Sequence, residues 1–325
     1  MKKRITLWLL ATLFLANVSL AEAQQAGKMF RIGYLDNSTA VGSAVLVDAL
    51  RQELSKLGWI EGKYFTIEYR FGEQNRERLP DLAAELVRLK VDLIVTSGDP
   101  AALAAKKATT STPIVMAAAA DPVGFGLVAS LARPGSNVTG LSSLGTELNS
   151  KRLELLKDAI PRLARVGLLR GLSTSPVLKE IRPAAVALNL KLEEIETQAD
   201  PKGLESAFQI AKQKRVDAII PITATRFFAE RKRIVELAVK YRLPAIYWQK
   251  EFVDEGGLMS YGADYDDQFR KAAHYVDKIL KGTKPADLPV QQATKFEFVI
   301  NLKAAKQIGL TIPVEVLAKA NQVIK

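Results

Sequence analysis

The 325-residue chain has no cysteine and a single histidine. Without cysteine there are no disulfides, no thiolate nucleophile, no Cys-ligated metal and no lipoprotein anchor, which needs a cysteine at its cleavage site. His274 is the only residue on which a Ser-His-Asp triad could be built, and nothing around it reads as a nucleophile elbow. It lies five residues after Phe269, off the apolar stripe of its helix, and suits an exposed helix face. The chain also lacks a G-x-x-x-x-G-K-[ST] loop, a G-x-G-x-x-G turn after a strand, a His pair and an acidic EF-type loop. Asp264, Asp266 and Asp267 sit close together but open a helix, where compensation of the helix dipole accounts for them. No metal or cofactor is expected, and enzymatic chemistry is disfavoured. A pair of carboxylates in a cleft is the one catalytic arrangement left open.

Long apolar runs are missing too, with one exception at the N-terminus. Lys2-Lys3-Arg4 is followed by an apolar stretch over residues 5–20 and by Ala21-Glu22-Ala23, an A-x-A cleavage pattern. The apolar stretch is short for a bilayer span of about 20 residues, and Asn17 and Ser19 interrupt it. We read residues 1–23 as an export leader. The mature chain, from Gln24, is then soluble and periplasmic, is not a lipoprotein and has no segment inserted in the membrane. The net charge of +11 falls to +9 once the leader's three basic residues and one acid are gone. The remaining basic residues are dispersed among acids. The densest run, Arg231-Lys232-Arg233, sits beside Glu230 and Glu236 and suits a solvated helix face. No nucleic-acid partner is expected.

What is present is an α/β pattern organised around Val91-Asp92-Leu93-Ile94-Val95-Thr96-Ser97-Gly98-Asp99-Pro100, followed by an Ala-rich run. A buried strand ends at Ser97, and a helix starts within about four residues, with Asp99 suited to its N-cap and Pro100 to its first turn. This is either an ordinary βα turn or a helix N-terminus presented to an anion. A second copy begins at Val216-Asp217-Ala218-Ile219-Ile220, and Thr112-Pro113-Ile114-Val115 reappears in outline as Leu243-Pro244-Ala245-Ile246. Strand-helix alternation through the chain predicts two Rossmann-like lobes with parallel sheets and a ligand cleft between them, at the C-terminal ends of the strands. We place lobe 1 at 24–143 plus 285–325 and lobe 2 at 144–284, taking the tail, with its apolar strand near 296–300, as a return to the first lobe.

Several segments also resemble a known family. They include Leu57-Gly58-Trp59-Ile60-Glu61-Gly62, Arg133-Pro134-Gly135-Ser136-Asn137-Val138-Thr139-Gly140 and Lys151-Arg152-Leu153-Glu154-Leu155-Leu156. Gly256-Gly257-Leu258-Met259-Ser260-Tyr261-Gly262 and Gly282-Thr283-Lys284-Pro285 continue the match. This pattern, spread over nearly the whole mature chain, resembles the ABC transporter substrate-binding proteins that include tryptophan-type binding proteins. The resemblance implies a periplasmic-binding-protein fold of type I with three inter-lobe crossings. It also implies hinge closure on a small-molecule ligand and delivery to an ABC permease with its cytoplasmic ATPase. Amino-acid-binding relatives hold the ligand carboxylate near the loop matching Ser97-Gly98-Asp99-Pro100. Their second lobe carries an acid where this chain has Pro221-Ile222-Thr223-Ala224-Thr225.

The expected function is therefore capture of a small carboxylate-bearing solute, amino-acid-like or aromatic. The alternative is a ligand-sensing periplasmic module that docks on a membrane receptor, and a secreted hydrolase is a weaker third reading. The candidate ligand-binding residues are Asn37, Ser38, Ser97, Gly98, Asp99, Asp121, Arg170, Thr223, Trp248 and Asp264, each at or just past an expected strand end. Ser97 and Gly98, with the helix they open, form the expected anion anchor. Arg170, if it faces the cleft, favours a second anionic group. Tyr247 and Trp248 either stack on a planar ligand or belong to the core.

Overall fold

The computed structural model describes residues 28–171, 177–198, 200–222 and 225–325, so the proposed leader and Thr223 lie outside the described residues. The chain begins with β1 (Phe30–Asp36), α1 (Ala40–Lys56), β2 (Phe65–Phe71), α2 (Leu79–Arg88), β3 (Leu93–Ser97), α3 (Asp99–Ala108), β4 (Ile114–Ala119) and β5 (Val138–Ser142). These strands form a parallel sheet in the order β5-β4-β3-β1-β2. Strands β3, β4 and β5 are almost wholly buried because helices cover both faces of the sheet. The edge strand β2 keeps only Phe65 buried, which explains its alternation of Thr66, Glu68 and Arg70 with apolar residues. Apolar residues of α2 and α3 fill one face of the sheet, and α1 packs on the other.

Lobe 2 starts with α4 (Leu148–Ala159) and β6 (Arg165–Arg170), then α5 (Val177–Ala187), β7 (Lys191–Glu196), α6 (Pro201–Gln213) and β8 (Ala218–Pro221). It continues with α7 (Thr225–Ala229), α8 (Arg231–Lys240), β9 (Ile246–Tyr247), α9 (Glu251–Asp254) and β10 (Met259–Ala263). Strands β7, β6 and β8 form one parallel sheet, which an isolated Ile219–Ala245 bridge links to β9 and β10.

The repeat seen in the sequence has a structural cause. In lobe 1, Asp92 Oδ2 accepts the Arg31 N–H at 2.8 Å, and the Asp92 N–H donates to Arg31 O at 2.7 Å. In lobe 2, Asp217 Oδ2 accepts the Arg165 N–H and the Asp217 N–H donates to Arg165 O, both at 2.8 Å. Each Val-Asp pair thus clips the start of its lobe's third strand to the start of its first. The two Pro segments match as well: the Ile94 N–H donates to Pro113 O and the Ile219 N–H to Pro244 O, each at 2.8 Å.

The end of the chain departs from the expected lobe boundaries. Helix α10 (Tyr265–Leu280) belongs to lobe 1, where Phe269, Ala272, Val276 and Ile279 join the core built by α1 and the sheet. The short β11 (Gln291–Gln292) adds to the lobe 1 sheet beside β5. The chain then crosses back. Strand β12 (Phe296–Asn301) pairs antiparallel with β10, and after α11 (Leu302–Ile308) and α12 (Val314–Leu317) the final β13 (Gln322–Ile324) pairs with β12. Residues 265–292 therefore go with lobe 1 and residues 296–325 with lobe 2, correcting the placement of the tail. An apolar strand such as Phe296-Glu297-Phe298-Val299-Ile300 can fill either core.

The chain crosses between lobes three times, near 143–147, 264 and 293–295, and a buried polar cluster holds these crossings together. The Arg152 side chain, 1% exposed, donates from Nε to Tyr261 O at 2.7 Å and from a terminal nitrogen to Asn149 Oδ1 at 2.7 Å. The same nitrogen reaches Gly145 O at 3.3 Å, on the first crossing. The second and third crossings are joined by the Asp264 N–H donating to Lys295 O at 3.0 Å.

Candidate functional site

Strand order decides where a ligand fits. In lobe 1 the chain runs from β1 outward in both directions, to β2 on one side and β3 on the other, so the loops after β1 and β3 diverge and leave a crevice. Asp36 and Ser97 are paired residues at the ends of these strands. Lobe 2 has the same arrangement at β6 and β8, which end at Arg170 and Pro221. The two crevices face each other across a cavity of about 230 Å³.

From lobe 1 its wall includes Asp36, Ser38, Arg76, Ser97, Gly98, Asp99 and Phe125. Lobe 2 contributes Gly171, Ile222, Phe228, Trp248 and Gln249. Tyr265, at the second crossing, also lines it. Every charged lining residue among the described residues comes from lobe 1, and the lobe 2 wall is apolar apart from Gln249.

Asp36 is 2% exposed and held by three donors: Ser43 Oγ at 2.6 Å, the Ser38 N–H at 3.0 Å and Tyr34 Oη at 3.2 Å. Burial pushes its carboxyl up from the ordinary range, although these bonds pull the other way. Asp99 is the first residue of α3, and the N-cap is Gly98, whose φ of +76° suits glycine. The expected capping role of Asp99 thus falls to Gly98. The Asp99 carboxylate instead accepts the Ala120 N–H at 3.0 Å and the Asp121 N–H at 3.4 Å, tying α3 to the end of β4. Burial raises it to about 6, with the Asp121 carboxylate adding to the rise and the backbone hydrogen bonds opposing it.

The remaining candidate residues divide into two groups. Ser38, Ser97, Gly98, Asp99 and Trp248 line the cavity. Asn37 is fully buried beneath it and outside the lining. Asp121 also lies outside the lining: its Oδ1 accepts the Gly124 N–H at 2.8 Å, and a Cβ at Gly124 would come within 2.0 Å of that carboxylate. Asp264 caps α10, accepting the Asp267 N–H at 2.9 Å. Arg170 turns along its own sheet, with its guanidinium 3.1 Å from Glu194 and 2.8 Å from Glu196 on β7, so the cleft-facing role expected for it is not what the structure shows. Trp248 both lines the cavity and packs edge-on against Phe252 at 4.7 Å, whereas Tyr247 is fully buried and stacks on Phe252 at 4.5 Å as part of the core.

Sequence reasoning missed Asp36, Arg76, Phe125, Phe228, Gln249 and Tyr265. Asp36 could have been found, because it ends a buried strand beside Ser97. Arg76 carries no strand-end signal; it sits in a short 3₁₀ turn, Arg76–Arg78, after a loop.

The family model for "ABC transporter substrate binding protein" matches residues 42–324. The chain belongs to this family. Among its relatives is a "Tyrosine-binding protein" of Clostridioides difficile, 27% identical over 262 residues, covering 79% of this chain and 74% of that protein. A conserved domain protein of Vibrio cholerae superposes with a TM-score of 0.85 at 28% identity, covering 91% of this chain and all of the other. An ABC domain from Streptococcus pneumonia, solved in complex with L-Trp, gives a TM-score of 0.81 at 28% identity over 90% of this chain and all of that one. The two-lobed α/β architecture is thus the periplasmic-binding-protein fold of type I, and the chain is an ABC-type solute-binding protein. Among the described residues, no helix is long and apolar enough to cross a membrane.

Proposed function

We propose that this substrate-binding protein captures an amino-acid-like solute with a carboxylate and an aromatic or otherwise apolar side chain. The carrying observation is the division of labour across the cleft. Lobe 1 presents one guanidinium and two carboxylates, and lobe 2 presents Ile222, Phe228 and Trp248. A zwitterion with an apolar side chain matches both walls, and the tyrosine- and tryptophan-binding relatives support the same class. Ser38, Ser97, Gly98, Asp99 and Trp248 are the wall residues we assign to it. Binding draws the lobes together about the three crossings. The loaded protein then hands the solute to an ABC permease powered by a cytoplasmic ATPase. Export by residues 1–23 to the periplasm, and a role in binding rather than catalysis, complete the reading.

The test is a thermal-shift screen of residues 24–325 against amino acids, dicarboxylates, nucleosides and aromatic acids. A ligand at 100 times its dissociation constant adds about 2.7 kcal/mol of stability. We expect an upward shift with L-tryptophan, L-tyrosine or a close analogue. A shift confined to nucleosides, or none with any carboxylate-bearing compound, contradicts the proposal.

A further inference from the structure

We propose that the ligand's carboxylate is held by Arg76, on the β1–β2 side of the cleft, rather than by the N-terminus of α3. This rests on the reading above that the ligand carries a carboxylate.

Arg76 is the only cation among the described residues that line the cavity. Its backbone is held firmly. The segment before it is stitched to the loop after β1 by three bonds: the Gly72 N–H to Asp36 O at 2.8 Å, the Glu73 N–H to Ser38 O at 3.2 Å and the Gln74 N–H to Asn37 O at 2.7 Å. Glu73 and Gln74 both take left-handed φ values, 51° and 65°, to make this path. Gly72 allows the close approach, since a Cβ there would meet Asn37 Oδ1 at 2.7 Å. Asn75 then caps the turn, its Oδ1 accepting the Glu77 N–H at 3.0 Å. Arg76 is thus carried on a turn stitched to the loop that holds Ser38, and the planar fork of a guanidinium suits a carboxylate in two-point contact.

The α3 terminus is a poor anion site by comparison. Pro100 has no N–H to offer, and Asp99 already places a carboxylate in the first turn. A ligand carboxylate there would face Asp99 across a buried space, where like charges repel strongly. Seated at Arg76, the carboxylate leaves the ligand's ammonium free to turn toward the two acids, and its apolar part to meet Phe228 and Trp248.

The experiment is calorimetric titration of residues 24–325 with L-tryptophan, tryptamine, which lacks the carboxylate, and 3-indolepropionic acid, which lacks the ammonium. Wild type, Arg76→Gln and Arg76→Lys are compared, with thermal midpoints confirming that each variant folds. Arg76→Gln should weaken L-tryptophan and 3-indolepropionic acid at least tenfold and change tryptamine less than twofold. Arg76→Lys should recover part of the loss, because it restores charge without the fork, and it remains informative should Arg76→Gln not fold. The proposal is overturned if wild type binds L-tryptophan no better than tryptamine, if the carboxylate ligands bind Arg76→Gln as tightly as wild type, or if all three ligands weaken equally. Wild-type silence toward all three compounds defeats the proposed ligand class, and the Arg76 assignment with it.

Discussion

Burial of Asp99 makes folding stability depend on pH. Its carboxyl is raised to about 6 by burial, against about 3.9 in an unfolded chain. The folded protein therefore holds this proton more tightly than the unfolded one does. The stability it contributes is fully present below about pH 4 and is lost as pH rises through about 6. A two-unit displacement corresponds to an effect on the order of 2–3 kcal/mol. Asp36, raised in the same direction, adds to the trend. Asp99→Asn removes one contributor while its amide oxygen can still accept from the Ala120 N–H. We predict that the gain in thermal midpoint between pH 7.5 and pH 5 is smaller in Asp99→Asn than in wild type. An equal gain in both would show that Asp99 does not titrate in that window. At this scale the sequence was only partly legible. Ser97 and Gly98 could be placed in the cleft because a buried strand must stop where its apolar run breaks. Arg170 could not, because nothing in the sequence indicates that Glu194 and Glu196 stand on the neighbouring strand and take its guanidinium. Arg76 was invisible because its position depends on a loop path, not on a period.

At the scale of elements, the Val-Asp repeat marks strand starts, whereas the binding loops lie at the opposite ends of the same strands. Asp92 accepts the Arg31 N–H, and Asp217 accepts those of Ala164 and Arg165, at the start of the first strand of each lobe. We predict that Asp92→Ala and Asp217→Ala each lower stability by about 1 kcal/mol in urea titration and leave ligand affinity unchanged. The double variant should lose the sum of the two to within about 0.5 kcal/mol, because the sites lie in different lobes and share no partner. A loss of ligand affinity in either single variant would contradict the separation of roles. Element type and order were readable because helices and buried strands leave distinct apolar periods. Partnership at the chain's end was not: β12 has the composition of a buried strand, and only its antiparallel pairing with β10 assigns it to lobe 2.

Across the whole molecule, two lobes whose cavity walls differ in chemistry are joined by three crossings. The charged lining residues among the described residues lie in lobe 1, and the apolar wall belongs to lobe 2, where Trp248 packs on Phe252. The crossings are braced by Arg152, a buried cation that donates to Tyr261 O, Gly145 O and Asn149 Oδ1. Burial pulls its guanidinium down to about 10, so it stays charged at neutral pH. Arg152→Met leaves these buried acceptors without that donor, and we predict a loss of about 3 kcal/mol in urea titration. A stability within about 0.5 kcal/mol of wild type would remove Arg152 from this role. The two-lobed plan itself was legible from the paired motifs. The boundaries were not, because α10 and β12 each cross to the lobe opposite the one that chain order suggests.

The central claim is that the solute sits between the lobes, and the most direct measurement is a crystal structure grown with the solute that gives the largest thermal shift. The account predicts one ligand molecule enclosed by Ser38, Arg76, Phe228 and Trp248, with the lobes closed upon it. A ligand bound elsewhere on the chain, with this cleft empty at saturating concentration, would contradict it.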